Sequence, residues 1–155
     1  MKTNLNCLEC GKQLTDGISE FSIDVYGYPL CLKHQAYIDE SSAAQHAIDL
    51  YFALKSKKIP VVLEYWDGRK HVDIAIPGKL YIEVNGVHHY QSIQALIDLK
   101  QSVCDLKENI STIFVPDYLL DHPAMFRLTV EELVMACRSL TSPVSSFPNM
   151  VLSVN

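Results

Sequence analysis

The chain has 155 residues, of which 48% are hydrophobic and 20% charged, and its formal net charge is −5. A chain of this length forms about one domain and buries roughly 68–70% of its unfolded surface, and its composition is too apolar for disorder. Its apolar runs are far shorter than the roughly 20 residues that span a bilayer, and its acidic balance argues against a generic electrostatic coat for nucleic acid.

Three of the five cysteines lie near the N-terminus together with a histidine. Cys7 and Cys10 are separated by two residues, and Cys31 and His34 repeat that spacing after a further twenty residues. Two intervening residues allow a tight knuckle, or the first turn of a helix, to direct both side chains at one ion. Four such ligands complete the tetrahedron that Zn²⁺ prefers in closed structural sites. The pattern therefore predicts structural zinc, and the alternative is three free thiols with an unrelated histidine.

The segment between the two ligand pairs alternates apolar and polar side chains over residues 21–28, which predicts a strand that ends in a turn. The resulting order of knuckle, hairpin and helix resembles a treble-clef zinc finger over about residues 5–40. An odd cysteine count without an apolar leader predicts a reducing, cytoplasmic location. Cys104 and Cys137 lie in apolar, helical contexts and are predicted to be small buried hydrophobes.

A mixed α/β fold with helices packed on a small sheet is predicted for the rest of the chain. Three predicted strands form an antiparallel meander whose first turn is Asp67-Gly68, a strong hairpin signal. We assign residues 1–40 to the zinc module, 41–140 to the α/β core and 141–155 to an irregular tail. The predicted elements of the core are a helix at 43–57, strands at 61–66, 70–76 and 79–84, a helix at 92–107, a strand at 110–115, and a helix that starts with a capping box at 129 and ends near 140.

The alternation along the meander places Asp73, Glu83 and Asn85 together on the face opposite the aliphatic side chains. Two neighbouring carboxylates repel each other, so one of them is protonated or both share a cation. Oxygen ligands with spare coordination suit Mg²⁺ or Mn²⁺. The pattern thus indicates a metal site, and the alternative is an outer face that is simply solvated.

Residues 71–77 (HVDIAIP) and 80–90 (LYIEVNGVHHY) resemble the PD-(D/E)XK nuclease superfamily. The closer resemblance is to the branch related to very-short-patch-repair endonucleases, in which a strand Asp is followed by an Ile-Glu-Val-Asp-Gly-x-x-His segment. The similarity extends over about residues 42–116. It implies a restriction-endonuclease-like core that hydrolyses DNA phosphodiester bonds with Mg²⁺ or Mn²⁺.

The resemblance also implies roles for individual residues. Asp73 and Glu83 would be the acidic metal ligands, the backbone carbonyl of Val84 a further ligand, and His89 the family's histidine. The bound metal would polarise the scissile phosphate and lower the pKa of the attacking water. Asn85 stands where the superfamily has Lys and this branch often has Asp. An asparagine can orient water or bind a phosphate oxygen, but it cannot serve as an ammonium or as an ionised base.

Basic side chains are the candidates for contact with nucleic acid. His88 could hold a phosphate or, like His89, assist proton transfer, and a surface role explains either histidine equally well. Glu64 is a candidate additional acid. Five basic residues are candidate phosphate contacts: Lys55, Lys57, Lys58, Arg69 and Lys70. Alternatively, they only mark a solvated helix end and a solvated hairpin tip.

Three hypotheses about function follow. The first is a DNA nuclease that carries a structural zinc finger. The second is a catalytically impaired nuclease fold that binds DNA or protein. Three features favour it: Asn85, the excess of acidic residues, and Gln45, which stands where the first helix of the family commonly has Glu. The third is a fold that serves a partner other than nucleic acid, in which the finger only extends the core.

Overall fold

A computed structural model of the chain describes residues 5–85, 92–104 and 110–141. Within these segments, three helices precede three strands, and a helix, a fourth strand and two further helices follow, which is a mixed α/β order as the sequence predicts. The helices are α1 (Asp16–Tyr26), α2 (Leu32–Glu40), α3 (Gln45–Ser56), α4 (Ser92–Cys104), α5 (Tyr118–Asp121) and α6 (Pro123–Thr141). The strands are β1 (Val62–Trp66), β2 (His71–Ile76), β3 (Leu80–Asn85) and β4 (Ser111–Pro116).

The four strands form one mixed sheet in the order β1-β2-β3-β4. The first three are antiparallel neighbours, which confirms the predicted meander, and β4 pairs with β3 in parallel. Gly68 and Gly78 have φ angles of +98° and +75°, so each turn uses a backbone conformation that glycine adopts readily. The parallel pair requires a crossover connection, and α4 lies in it.

One face of the sheet is buried and the other is open. Helix α3 contacts β1, β2 and β3, α4 and α5 contact β4, and α6 packs on all three of these helices. On the open face, Val62, Trp66 and Phe114 are exposed. The predicted aliphatic face of the meander is therefore confirmed, although Ala75, which alternates with the aliphatic residues of β2, is also fully buried. The buried face carries Leu63, Val72, Ile74, Ile76, Leu80, Ile82, Ile113 and Val115.

The predicted strand over residues 21–28 is wrong, because α1 occupies most of that segment. The apolar residues of the alternating pattern, Phe21, Ile23 and Val25, are all exposed. Two small polar side chains, Ser19 and Ser22, are the buried ones, at a spacing of three residues. The order of elements is therefore knuckle, helix, helix, and the hairpin expected of a treble clef is replaced by α1.

Two further differences concern the C-terminal half. Helix α6 begins at Pro123, six residues before the predicted capping box, since proline is tolerated in the first turn of a helix. Thr129, the expected cap, is fully buried inside this helix. The short α5 was not predicted. Cys137 is buried as expected, whereas the side chain of Cys104 and residues 142–155 lie outside the described part of the chain.

The N-terminal segment shares its apolar core with the sheet. Cys7, Leu14, Leu30 and Ile38 belong to the same buried cluster as the inward-facing residues of the strands. None of the described helices is both long and apolar enough to cross a membrane.

Candidate functional site

The first ligand pair lies on a tight knuckle. Asn6 and Gln13 form an isolated antiparallel bridge that closes the loop. Inside the loop, the Gly11 N–H donates to the Cys7 carbonyl at 2.8 Å, and Gly11 has a φ of +71°. This left-handed turn directs the side chains of Cys7 and Cys10 to the same side.

The second ligand pair lies at the start of α2. Cys31 is the N-cap residue, and its carbonyl accepts a hydrogen bond from the His34 N–H at 2.8 Å. Helix α1 supports the approach to this turn through the buried Ser22. The hydroxyl of Ser22 donates to the Tyr28 carbonyl at 2.7 Å and accepts from the Leu30 N–H at 2.8 Å. The unpredicted helix thus fixes the segment that carries Cys31.

The four predicted ligands converge. The Nδ1 atom of His34 lies 3.4 Å from Cys7 Sγ and 3.2 Å from Cys31 Sγ, and the Sγ atoms of Cys10 and Cys31 are 4.0 Å apart. Zinc–sulfur bonds of about 2.3 Å in a tetrahedron place two sulfurs roughly 3.8 Å apart. Within the described residues, this is the only group of three or more His, Cys, Asp or Glu side chains whose ligand atoms all lie within 4.8 Å of one another. The ligands lie close enough to bind a metal ion, as the spacing predicts.

The environment of the cluster affects the ionisation of its thiols. Burial raises the pKa of Cys7. At Cys31, burial also opposes ionisation, but hydrogen bonds from the His34 N–H, the His34 ring and the thiols of Cys7 and Cys10 lower the pKa to about 7. Since metals bind the thiolate form, a thiol that ionises near neutral pH is suited to being a ligand.

A polar contact joins the knuckle to the α/β core. The buried Tyr51 of α3 donates its hydroxyl to Glu9 Oε1 at 2.5 Å, and Lys55 Nζ lies 3.5 Å from Glu9 Oε2. Glu9 stands between the first two cysteines, so this contact holds the knuckle against α3. Lys55, a predicted phosphate contact, is thus paired with Glu9 within the protein. Lys57 and Lys58, which follow it in the chain, are exposed.

We expect Tyr51→Phe to lower the free energy of unfolding by about 2 kcal/mol, because it removes the hydroxyl donor from a largely buried carboxylate. Urea unfolding measures the effect. Tyr26→Phe is the matched control, since Tyr26 donates to Asp39 at 2.9 Å in a solvent-exposed pair, and its loss is expected to cost less than about 0.5 kcal/mol. Equal effects of the two substitutions would contradict a stabilising role for the Glu9 contact.

The second group of predicted site residues lies on the open face of the sheet. Ile74 lies opposite Ile82, so Asp73 and Glu83 face each other across β2 and β3. Val84 N–H donates to Asp73 Oδ2 at 2.8 Å, and Asp73 N–H lies 3.4 Å from Glu83 Oε2. The structure brings these two carboxylates together as the sequence predicts.

Glu64 extends this pair into a row of three carboxylates, which we call the acidic row. Leu63 pairs with Ile74 and Tyr65 with Val72, so Glu64 lies level with Asp73 on the neighbouring strand. Glu64 has a φ of +49°, and its carboxylate accepts hydrogen bonds from Ser41 Oγ at 2.8 Å and Ser42 Oγ at 2.5 Å. The carboxylates of the acidic row are spread more widely than the ligands of the cysteine cluster.

The carboxylates of the acidic row differ in their electrostatics. Burial, followed by the negative charges of Glu83 and Glu64, raises the pKa of Asp73, although the Val84 N–H and Lys70 act in the opposite direction. The hydrogen bond from Ser42 lowers the pKa of Glu64. The Lys70 ammonium forms an ion pair with Glu83. The half-buried carboxyl group of Asp73 therefore resists ionisation, and the carboxylates of Glu64 and Glu83 and the ammonium of Lys70 lie beside it.

The remaining predicted residues are placed less fully. Asn85 is the last residue of β3 and lies level with Pro116 of β4. Arg69 and Lys70 lie on the tip of the β1–β2 hairpin, whereas Lys57 and Lys58 follow α3. His88 and His89 lie outside the described residues, so their roles stay predictions.

Three residues that contact the acidic row are not predicted from the sequence. Lys70 was assigned to phosphate, but its ammonium contacts Glu83. Ser41 and Ser42 directly precede the predicted helix at 43–57, and both bind Glu64. Alternation along the predicted strand at 70–76 puts Lys70 on the same face as Val72 and Ile74, so this pattern does not identify its contact with Glu83. No local sequence signal identifies the contacts of Ser41 and Ser42.

Comparison with known proteins returns no matching family model, no matching curated protein and no matching solved structure.

Proposed function

We propose that this protein is a metal-dependent nuclease that hydrolyses DNA phosphodiester bonds and carries a structural zinc site. The observation that supports the nuclease activity is the opposed pair Asp73 and Glu83, on an open sheet face and level with Glu64. An all-oxygen donor set of this kind fits Mg²⁺ or Mn²⁺. A half-buried carboxyl group held beside like charges is typical of functional sites.

Asp73, Glu83 and the carbonyl of Val84 would hold the catalytic metal. When bound, the ion supplies Lewis-acid polarisation of the phosphate and lowers the pKa of a water molecule. The protein's own groups orient these ligands, since Val84 N–H fixes Asp73 Oδ2 and Lys70 fixes one oxygen of Glu83. Arg69, at the hairpin tip, is suited to binding a neighbouring phosphate.

Cys7, Cys10, Cys31 and His34 would hold zinc. Four protein ligands leave no open position for water, so the role proposed for this ion is structural. Zinc would fix the knuckle, and through Glu9 it would fix the packing of the N-terminal segment on α3. The thiolate ligands also suit a reducing, cytoplasmic compartment.

Plasmid cleavage in the presence of Mg²⁺ or Mn²⁺ tests the proposal. We expect the wild type to cleave and Asp73→Ala to be inactive, because that variant lacks a metal ligand. Asp121→Ala is the matched control and should retain activity, since Asp121 is an exposed carboxylate on α5 that pairs with His46. Equal cleavage by the wild type and Asp73→Ala, or no cleavage by either, would contradict a nuclease.

One observation favours a second candidate, a catalytically impaired module that binds DNA or protein. Asn85 stands where the nuclease superfamily that this segment resembles has Lys or Asp, and Lys70, whose ammonium reaches the acidic row, is already paired with Glu83. This candidate predicts a gel shift or pull-down without turnover. Under it, Asn85→Lys or Asn85→Asp should create cleavage activity that the wild type lacks.

A further inference from the structure

The tip of the β1–β2 hairpin carries an exposed aromatic ring that the proposed chemistry does not use. Trp66 is 54% exposed. Its ring lies against that of His71, with centroids 5.1 Å apart and planes inclined at 54°. The two residues are paired across the strands, directly before and after the turn. An indole of this exposure offers a large π surface to a ligand.

The turn between the two rings is held by its own hydrogen bonds. The Asp67 carboxylate accepts the N–H groups of Arg69 at 2.7 Å and Lys70 at 2.8 Å, and the Asp67 N–H donates to the Lys70 carbonyl at 3.1 Å. His71 Nδ1 lies 3.2 Å from the Glu64 carbonyl, which orients its ring. The aromatic surface is therefore pre-organised, which lowers the entropic cost of binding.

The hairpin tip carries two basic side chains, Arg69 and Lys70, and one carboxylate, Asp67, which accepts the backbone N–H groups of the turn. Arg69 is exposed, and its guanidinium forms no ion pair with any residue in the described part of the chain. Lys70 links the tip to the acidic row through Glu83. A ligand that combines a flat aromatic group with a nearby negative charge complements this arrangement. An unpaired nucleotide has both, because its base presents a π face and its phosphate an anion.

We propose that the hairpin tip binds an unpaired base of DNA, which stacks on Trp66 while an adjacent phosphate contacts Arg69. Base pairing and stacking in a duplex hide the π faces of the bases, so a paired strand cannot use this surface. The inference rests on the proposed nuclease function and gives its substrate class as DNA with single-stranded or unpaired nucleotides.

The protein offers a direct optical test, because Trp66 is its only tryptophan. An unlabelled single strand of DNA, about twelve nucleotides long, is titrated into the full-length protein without divalent cations, and tryptophan emission is recorded. We expect the single strand to quench this emission, and the fully paired duplex of the same sequence to bind about tenfold more weakly.

Variants locate the contact. By fluorescence anisotropy with a labelled single strand, Trp66→Ala should weaken binding about tenfold, and Trp66→Phe should retain most of the affinity. Phe21→Ala is the matched control, because Phe21 is a 55% exposed aromatic residue on α1, and its affinity should match the wild type. Wild-type quenching is measured without any variant, so a folding defect of Trp66→Ala does not prevent the test.

Four outcomes would overturn the inference. They are emission unchanged by the single strand, equal affinity for duplex and single strand, tighter binding of RNA than of DNA of the same sequence, and an equal loss for Phe21→Ala and Trp66→Ala. None of these outcomes depends on catalysis. Asp73-dependent cleavage without quenching refutes the stacking site alone, and quenching without cleavage refutes the nuclease alone.

Discussion

Replacing Cys31 with alanine is expected to abolish metal binding at the cysteine cluster and to lower the free energy of unfolding by more than about 4 kcal/mol. The Sγ atom of Cys31 lies near both Cys10 and His34, so its removal leaves an incomplete ligand set. Structural zinc supplies about 10–16 kcal/mol to the folding of finger peptides. Here the ligands Cys7 and Cys31 are part of the common apolar core, so their loss also disturbs the sheet.

Elemental analysis and urea unfolding of the purified chain measure both effects. We expect one zinc per wild-type chain and almost none in Cys31→Ala. Cys137→Ala is the matched control, because Cys137 is fully buried in α6 outside the cluster. It should keep its zinc and lose only about 1 kcal/mol, as a small core truncation does. Stoichiometric zinc in Cys31→Ala, or an equal loss of stability in both variants, would contradict a structural metal site.

The parts of the fold that local chemistry determines could be predicted from the sequence. The ligand spacing of the cysteine cluster depends only on two short turns, so the sequence predicts that these four side chains lie close together, and the structure brings them close enough to bind a metal. The meander followed from strict alternation together with a glycine-containing turn, Asp67-Gly68. The same alternation placed Asp73 opposite Glu83, because a strand's side chains point to alternate faces whatever surrounds them.

The parts that tertiary packing determines could not be predicted in this way. Phe21, Ile23 and Val25 alternate as in a strand, but the segment buries Ser22 instead, because that hydroxyl satisfies two backbone groups of the next loop. No local sequence pattern predicts that a serine is the buried residue of this helix. The ion pair between Lys70 and Glu83 likewise depends on the registration of two strands.

Asp73→Asn is expected to lose metal-dependent cleavage while gaining stability at neutral pH. Removing a charged metal ligand should reduce the cleavage rate on the order of 10³-fold, which corresponds to several kcal/mol of lost transition-state stabilisation. Burial and the charge of Glu83 raise the pKa of Asp73 in the folded protein above its usual value of 3.8. The folded state therefore binds a proton more tightly than the unfolded state, and ionised Asp73 costs stability at pH values above its folded pKa.

The sign of this effect distinguishes a functional carboxylate from a structural one. Asparagine keeps an oxygen that can accept the Val84 N–H, and it carries no charge to repel Glu83. The unfolding free energy of Asp73→Asn minus that of the wild type, measured in urea without divalent cations, should therefore increase as the pH rises from about 4 to 7. Asp121→Asn, an exposed control, should leave cleavage unchanged. A loss of stability in Asp73→Asn across this range would instead mean that the ionised carboxylate supports the fold, and the case for a strained metal-ligand pair on the open face would fail with it.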